Sequence, residues 1–339
     1  MRYKSVIVSR FGGPEVLQVV ENELRPPAPG EVRIRVQASS VCQPDTTVRA
    51  GTSLYRGTPL GPKPPFVPGY SVVGEVDALG DGVSEVSIGE RVGALTVTGG
   101  YSEYLYWKSS RLIPVPASLD PIEEVALILN YIVAYQALHR SARVRVGEKA
   151  LIIGASGGIG TALLQLGRLA ELQMVGIASA SKHRILLEYG AKPIDYHSQD
   201  FVQVTRELEP GGLDVVFNGM MRLSYIKGGL SLLRSGGRLV SYGEPAGFFT
   251  LFRTLGTMIL VNLLPNGKSF KLYGTSTYFL FDPQPYLDDW AVLFGLLETG
   301  KIKPVIMKLL PLQEAALAHK LLESGQVTGN LVLVAPGLQ

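Results

Sequence analysis

The sequence predicts an α/β protein that combines a doubly wound parallel sheet with a second, strand-rich domain. After Gly147, short β-branched strands alternate with helical segments, which is typical of an open parallel sheet covered by helices on both faces. Before Asp120, the chain consists instead of short strands and turns. Of the 339 residues, 46% are hydrophobic and 18% are charged, a composition that supplies enough apolar side chains for two cores.

The strand-rich domain is predicted from four segments. The segment VRIRVQASSV (32–41) alternates as a strand with one buried face does. Further strands are predicted at 72–80, 89–95 and 101–107, with a glycine-containing turn after the first of these. The segment 51–69 contains five prolines, so we expect an irregular loop there.

The parallel sheet is introduced by a predicted helix over 120–140, where Pro121 suits the first turn and Glu123 suits the positive end of the helix dipole. The tail from residue 303 adds a strand, a helix and a strand, and we expect it to return to the first domain. The predicted domains are therefore 1–122 with 304–339, and 123–303. The strands of the sheet are predicted to begin at Lys149, Gln173, Lys192, Asp214, Gly237 and Ser269.

Charge and cysteine content narrow the class of protein. The net charge of +3, with no long basic run, does not suggest a nucleic-acid partner. The single cysteine, Cys42, cannot form an intrachain disulfide, and residues 1–10 do not resemble a signal peptide. Both observations favour a reducing, cytoplasmic setting.

The most apolar stretch, 248–264, contains Arg253 and Asn262 and is too short and interrupted to span a bilayer. It is interpreted as a buried helix or the wall of an apolar pocket. Contact with a membrane surface is the less favoured alternative.

A glycine-rich turn indicates a dinucleotide site. The strand LIIGA runs into GASGGIG (154–160) and then into a helical segment. Glycines allow the backbone to approach a pyrophosphate, and the N-terminus of the following helix offers N–H groups to it. A purely structural turn is the alternative.

The end of the second strand indicates which dinucleotide binds. NAD enzymes usually place Asp or Glu there for the ribose 2′-hydroxyl. This chain has Ser179, Ser181 and Lys182 instead, and no acidic residue between Ala178 and Leu187. Hydroxyl groups and a cation suit a 2′-phosphate, so NADPH is the predicted cofactor. The alternative is a solvated helix start with ordinary caps.

Metal chemistry is not expected. A catalytic zinc needs about three protein ligands, and Cys42 is the only cysteine. The four histidines show no ligand spacing. Cys42 itself is best interpreted as a small buried residue; contact with the cofactor or a nucleophilic role are the alternatives.

Several segments, taken in order, resemble the medium-chain dehydrogenase/reductase superfamily and especially its zinc-free quinone oxidoreductase branch. PFVPGYSVVGEV (65–76) is similar to the family's PxxPGxExxGxV segment, and GGYSEY (99–104) to its GxxAEY segment. The entry to the cofactor domain at 129–138 and 144–160 has the quinone oxidoreductase form. Tyr70 and Ser71 stand where the zinc enzymes carry a His-Glu pair. The resemblance implies a Rossmann-type domain, a GroES-like catalytic domain and a homodimer.

The resemblance also assigns cofactor contacts, from the nicotinamide to the adenosine end. They are Gln43, Asp45, Thr46 and Val133 at the nicotinamide; Gly157, Gly158 and Ile159 at the pyrophosphate; Ser179 and Lys182 at the 2′-phosphate; Tyr196 at the ribose; and Asn218, Tyr242 and Gly243 at the strand ends. Asn330, which stands where the family commonly has a lysine, is a further implied cofactor contact.

The implied reaction is metal-free hydride transfer from NADPH to a quinone or an activated C=C bond, such as that of an enone, enal or enoyl thioester. Tyr55, in the loop 51–69, is the candidate donor to the developing anion; an ordinary surface aromatic is the alternative. Because 248–278 also resembles vesicle amine transport protein 1, an NADPH-binding protein with little turnover is the competing hypothesis. The β-rich segment 269–281 is the predicted dimer edge.

Overall fold

The structure, a computed structural model, describes residues 1–54, 56–58, 61–245, 247–275, 279 and 281–336. The chain forms two compact units: unit 1 is Met1–Leu129 with Pro283–Gln339, and unit 2 is Asn130–Asp282. The sequence instead predicted the changes of domain after residue 122 and before residue 304. Part of this difference comes from the helix Gln284–Glu298, which the prediction placed in the second domain but which belongs to unit 1. The indole Nε1 of its buried Trp290 donates to the carbonyl oxygen of Leu127 at 3.2 Å.

Unit 1 contains an antiparallel strand pair and a seven-stranded sheet. Numbered along the chain, the strands are β1 Arg2–Val8, β2 Leu17–Glu23, β3 Glu31–Val41, β4 Ser71–Leu79, β5 Arg91–Leu95, β6 Tyr104–Lys108, β7 Ile113–Pro114, β14 Ile306–Pro311 and β15 Asn330–Val334. The helices are α1 Gln43–Ala50, α2 Pro121–Ala126, α9 Gln284–Glu298 and α10 Ala315–Glu323. The pair is β1 with β2; the larger sheet has the order β14-β15-β3-β4-β5-β7, and β6 also pairs with β3.

The core of unit 1 follows the alternation seen in the sequence. Val32, Ile34 and Val36 of β3 are all buried, which confirms the predicted strand. The tail returns as predicted, because β15 pairs antiparallel with β3, with Leu331 opposite Val41. The pair β1 and β2 was not predicted, since most positions of both strands are half-buried or exposed and neither alternates cleanly.

Unit 2 contains six parallel strands in the order β10-β9-β8-β11-β12-β13. Their bounds are β8 Lys149–Ile153, β9 Gln173–Ala178, β10 Lys192–Asp195, β11 Leu213–Asn218, β12 Leu233–Tyr242 and β13 Ser269–Tyr273. The helices are α3 Ile132–Gln136, α4 Gly158–Leu169, α5 His183–Glu188, α6 Phe201–Leu208, α7 Leu223–Leu232 and α8 Gly247–Leu263. The strand order reverses between β8 and β11, which is the arrangement of a doubly wound dinucleotide fold. The predicted fold class is therefore confirmed.

The helix predicted over 120–140 is present but is not regular. The Asp120 side chain caps its start by accepting a hydrogen bond from the backbone N–H of Ile122 at 2.9 Å. Two wider π turns, Leu127–Tyr131 and Ala137–Ala142, interrupt it before and after α3.

Two expectations at the end of unit 2 were wrong. The last strand stops at Tyr273, because Gly274 is irregular and Thr275 is helical; residues 276–278 and 280 of the predicted dimer edge lie outside the described residues. The segment 248–264 forms α8, but it is not a buried helix, since many of its large apolar side chains are exposed. Among the residues described, no helix has the length and hydropathy needed to cross a membrane.

Candidate functional site

The glycine-rich turn of unit 2 lies at the end of β8, where the sequence placed it. Gly154 has a φ of +84°, a conformation that side chains other than glycine rarely adopt. A Cβ atom at Gly160 would lie 2.2 Å from the carbonyl oxygen of Gly154, so only glycine lets α4 pack this closely on the turn. The backbone N–H of Ala155 donates to the carbonyl oxygen of Ile177 at 3.0 Å, which fixes the turn to β9.

The N-terminus of α4 is open above this turn. Gly157 caps the helix in an extended conformation, and the N–H of Thr161 is bonded back to its carbonyl oxygen at 2.8 Å. The first N–H groups of a helix have no partner within the helix, so those of Gly158 and Ile159 face outward. A Cβ atom at Gly157 would meet only the carbonyl oxygen of Gly154, at 3.7 Å. This arrangement can receive an anion.

The next strand end carries the polar residues predicted to read the 2′-phosphate. β9 ends at Ala178, and a short turn of helix, Ala180–Lys182, follows Ser179. The hydroxyl groups of Ser179 and Ser181 lie 3.4 Å apart. Lys182 is half-buried, and desolvation lowers the pKa of its ammonium group below the ordinary value.

The remaining predicted contacts of unit 2 differ in accessibility. Tyr196, just after β10, is exposed and its ring lies 4.2 Å from that of His197. Asn218, at the end of β11, is fully buried; its amide donates to Ser241 at 3.1 Å and accepts from the N–H of Met220 at 3.0 Å. Its carboxamide therefore joins the ends of β11 and β12.

Tyr242 and Gly243 stand at the end of β12, beside Asn218 at the same edge of the sheet. Tyr242 is buried, which raises the pKa of its hydroxyl, whereas Gly243 is exposed with a φ of +103°. Val133, on α3, is buried.

In unit 1, the predicted contacts cluster on the first turn of α1. Gln43 is exposed, and its carboxamide donates to the hydroxyl of Thr46 at 2.9 Å. Thr46 is buried and donates to the carbonyl oxygen of Gln43 at 2.8 Å. Asp45 closes the turn by accepting from the backbone N–H of Cys42 at 2.8 Å. This is a capping arrangement, so it holds the helix start in place.

Asp45 is buried at the end of a chain of hydrogen bonds that the sequence did not predict. Its Oδ2 atom accepts from the thiol of Cys42 at 3.1 Å and from the hydroxyl of Tyr101 at 3.2 Å. The Tyr101 oxygen lies 3.1 Å from Nε2 of His319, and Nδ1 of His319 lies 3.5 Å from a guanidinium nitrogen of Arg49. Arg49 also forms an ion pair with Glu323.

The direction of these hydrogen bonds follows from Arg49, because a guanidinium can only donate. Nδ1 of His319 therefore accepts, Nε2 carries the proton and donates to Tyr101, and the hydroxyl of Tyr101 donates to Asp45. A neutral imidazole fits its surroundings: burial, and then the charge of Arg49, lower the pKa of His319 to about 3. Burial raises the pKa of Asp45 to about 6 despite its donors. It also raises the pKa of the Cys42 thiol, as expected of a small buried residue rather than a nucleophile.

Local sequence patterns could not reveal this network, because Arg49 and His319 are 270 positions apart. The local pattern that comes closest to indicating the network is the spacing of Cys42 and Asp45, which matches that of a helix cap.

The other singled-out residues lie as follows. Tyr55 is outside the described residues. Asn330 is buried at the start of β15, where its amide donates to the carbonyl oxygen of Val305 at 3.0 Å. Tyr70 is half-buried, and its carbonyl oxygen accepts from the N–H of Thr96 at 2.8 Å. Within the described ranges, no three His, Cys, Asp or Glu side chains are grouped to hold a metal ion.

Comparison with known proteins identifies the family. The model of the alcohol dehydrogenase GroES-like domain matches residues 28–117, and that of the zinc-binding dehydrogenases matches residues 189–333. Quinone oxidoreductase of Lama guanicoe is 32% identical over 338 residues, covering 98% of this chain and 97% of that protein.

Two further proteins are similar over almost the whole chain. The synaptic vesicle membrane protein VAT-1 homolog of Rattus norvegicus is 32% identical over 348 residues, covering 98% of this chain and 84% of that protein. The crystal structure of Escherichia coli quinone oxidoreductase complexed with NADPH has a TM-score of 0.83 at 25% identity, covering 98% of this chain and 99% of that one. The chain therefore belongs to the medium-chain dehydrogenase/reductase superfamily and is an oxidoreductase.

Proposed function

We propose that this oxidoreductase uses NADPH and transfers hydride, without a metal ion, to a quinone or to an activated C=C bond. The observation that carries the proposal is the pair of neighbouring strand ends in unit 2. The end of β8 opens into the helix start at Gly157. The turn after β9 presents Ser179 and Lys182 and has no acidic residue of its own, although the Asp195 carboxylate at the end of β10 accepts a hydrogen bond from its backbone.

The turn after β8 suits a pyrophosphate. The added Cβ at Gly157 would meet nothing closer than 3.7 Å, so phosphate oxygens have room to approach the N–H groups of Gly158 and Ile159. The positive end of the dipole of α4 favours the same negative charge.

The turn after β9 suits a 2′-phosphate. Lys182 is half-buried, and desolvation disfavours the charged form of its side chain and lowers its pKa. A phosphate dianion beside it would favour the charged form and raise that pKa again. Ser179 and Ser181 would add hydroxyl donors. NADPH binding should therefore weaken as the pH rises far enough to deprotonate Lys182.

When bound, the reduced nicotinamide supplies hydride from its C4 atom; the chain must orient the ring and steady the charge formed on the substrate. Gln43 has an exposed carboxamide held by Thr46, and we assign it, with Asp45 behind it, to the nicotinamide end. Tyr55 remains the predicted donor to the anion. Asn218 and Tyr242 are buried, so we assign them to shaping the strand ends that carry Gly243.

The first experiment measures cofactor choice. A hydrogen bond to a charged group contributes roughly 1.5–3 kcal/mol, so NADPH should bind at least about tenfold tighter than NADH. Lys182→Ala should weaken NADPH by about tenfold and leave NADH almost unchanged, because only NADPH carries the phosphate. Lys301→Ala, at an exposed lysine of unit 1, is the matched control. Equal loss of both cofactors in Lys182→Ala would show that this turn does not recognise the phosphate.

The second measurement is NADPH oxidation with a panel of quinones, enals, enones and enoyl thioesters. Turnover with one class identifies the substrate chemistry. The VAT-1 homolog has the same 32% identity to this chain as quinone oxidoreductase, which supports a second candidate, an NADPH-binding protein with little turnover. Tight NADPH binding without oxidation on the whole panel would support that candidate.

A further inference from the structure

The outer face of α8 is an exposed apolar stripe. Phe249, Phe252 and Leu263 are 73%, 69% and 77% exposed, and their neighbours along the same helix are also open to solvent. We call this set the α8 stripe; it consists of Phe248, Phe249, Phe252, Ile259, Leu260 and Leu263. Soluble proteins rarely expose large contiguous apolar patches unless these bind something.

The opposite face of α8 is fixed to unit 2. Met258 and Val261 pack against the core of the sheet, and Thr254 is fully buried. The carboxamide of Asn262 makes two hydrogen bonds with the backbone of Phe270 on β13, both at 2.9 Å. The helix therefore presents the stripe outward as part of its packing on unit 2, not as a loose end.

Positive side chains lie on α8 and on the elements next to it. Between residues 215 and 281 the chain has seven Lys and Arg but a single acid, Glu244. Two of these seven cations form ion pairs with acids outside the segment, so the other five carry the argument. Arg253 lies on α8 itself, 5.5 Å from the ring centre of Phe249. Lys227 lies on α7, which packs against α8, and Lys268 lies just before β13.

We propose that the α8 stripe binds the surface of an anionic phospholipid bilayer, with the helix lying in the interface. A helix of this kind buries apolar side chains at the boundary of headgroups and acyl chains, while nearby cations are attracted to anionic lipid. With 17 residues, α8 is about 25 Å long. If the helix lies in the membrane plane, the side chains of the stripe contact the lipids along most of this length.

A second copy of this chain is a poorer occupant. Two α8 stripes facing each other would bring the Arg253 side chains of both copies to one interface, and the sequence has no acidic residue between 247 and 281 to pair with them. Like charges across an interface oppose association. Membrane binding does not depend on the proposed reaction, because the residues of the stripe lie on α8 and none of them is assigned to the cofactor or the substrate.

The test is binding of the full chain to vesicles of phosphatidylcholine, with and without about one third phosphatidylserine. We expect binding to the anionic vesicles and at least about tenfold weaker binding to the neutral ones, with the difference eroded by salt. Phe252→Glu should lower the affinity for anionic vesicles at least about tenfold. Ile88→Glu, which changes an exposed apolar residue of unit 1, is the matched control and should bind like the wild type.

Leu263→Glu provides a second variant on the same stripe, and thermal unfolding checks that each variant is folded. Lys227→Gln should lower the affinity for anionic vesicles about fivefold and leave that for neutral vesicles unchanged. The proposal is overturned if the wild type binds neither vesicle, or if folded Phe252→Glu and Leu263→Glu bind as the wild type does. Wild-type self-association that Phe252→Glu abolishes, without vesicle binding, would identify a second copy as the occupant instead.

Discussion

At the scale of single residues, the buried pair Asp45 and His319 links protonation to stability. Both lie in the network of unit 1, joined through the hydroxyl of Tyr101. Burial disfavours the charged form of each, so it raises the pKa of Asp45 to about 6 and lowers that of His319 to about 3. The two shifts act on stability in opposite directions over the same pH range.

The signs follow from proton binding. Between about pH 4 and pH 6, folded Asp45 holds a proton that the unfolded chain has released, so its contribution to stability falls as the pH rises. Folded His319 lacks a proton that the unfolded chain still holds between about pH 3 and pH 6.5, so its contribution rises with pH. One proton corresponds to about 1.4 kcal/mol per pH unit, and the two contributions nearly cancel at pH 5.

Single substitutions should uncouple this balance. Near pH 5, Asp45→Asn removes the falling contribution, so its free energy of unfolding should rise with pH by about 1 kcal/mol per pH unit more than that of the wild type. His319→Gln removes the rising contribution, so its slope should be lower than that of the wild type by a similar amount. Denaturant titrations at closely spaced pH values measure both slopes. Parallel slopes in all three proteins would show that the two groups do not titrate as described.

At the scale of elements, the turn from β8 into α4 contains two glycines with separable roles. Gly160→Ala places a Cβ atom 2.2 Å from the carbonyl oxygen of Gly154, a backbone atom that cannot move aside alone. We expect this variant to lose about 1–3 kcal/mol of stability or more. Gly157→Ala meets no close atom, and its φ of −77° suits alanine, so the fold should be nearly unaffected.

The affinity for NADPH provides a second way to distinguish the roles of the two glycines. The methyl group of Gly157→Ala would stand where we expect phosphate oxygens to approach, so the variant should bind NADPH at least about tenfold more weakly at wild-type stability. Thermal unfolding and NADPH titration provide the two readouts. Gly157→Ala that binds NADPH normally would place the pyrophosphate elsewhere.

The elements that the sequence predicted well are those with strong local patterns. β3 alternates, the strands of unit 2 are short and β-branched, and the glycine turn combines a strand, a loop and a helix. The prediction failed for α8 because an apolar composition does not say which face a helix buries, and many large side chains face solvent. It also failed beyond Tyr273, where β-branched and aromatic residues favour a strand but Gly274 ends it. The Asp45 network depends on contacts distant in sequence, which no local pattern encodes.

At the scale of the whole molecule, the predicted homodimer meets an obstacle at its predicted edge. β13 is the outermost strand of its sheet, and it pairs with β12 on one side. The N–H and C=O groups of Phe270 face away from β12, because both bond to the carboxamide of Asn262. α8 therefore protects this edge in the way that proteins commonly block strand edges.

This arrangement yields a prediction about assembly. If two copies join through β13, Asn262 must first release Phe270, so the hydrogen bonds of Asn262 compete with the dimer. Asn262→Ala removes that competition and should tighten the dimer, by roughly fivefold to tenfold for about one net hydrogen bond. Asn266→Ala is the matched control, because the Asn266 side chain accepts from the N–H of Lys268 and does not contact β13 through any described hydrogen bond. Light scattering over a concentration series measures both variants. A dimer of equal strength in both would place the interface away from this edge, and a wild type that stays monomeric at micromolar concentration would contradict the dimer itself.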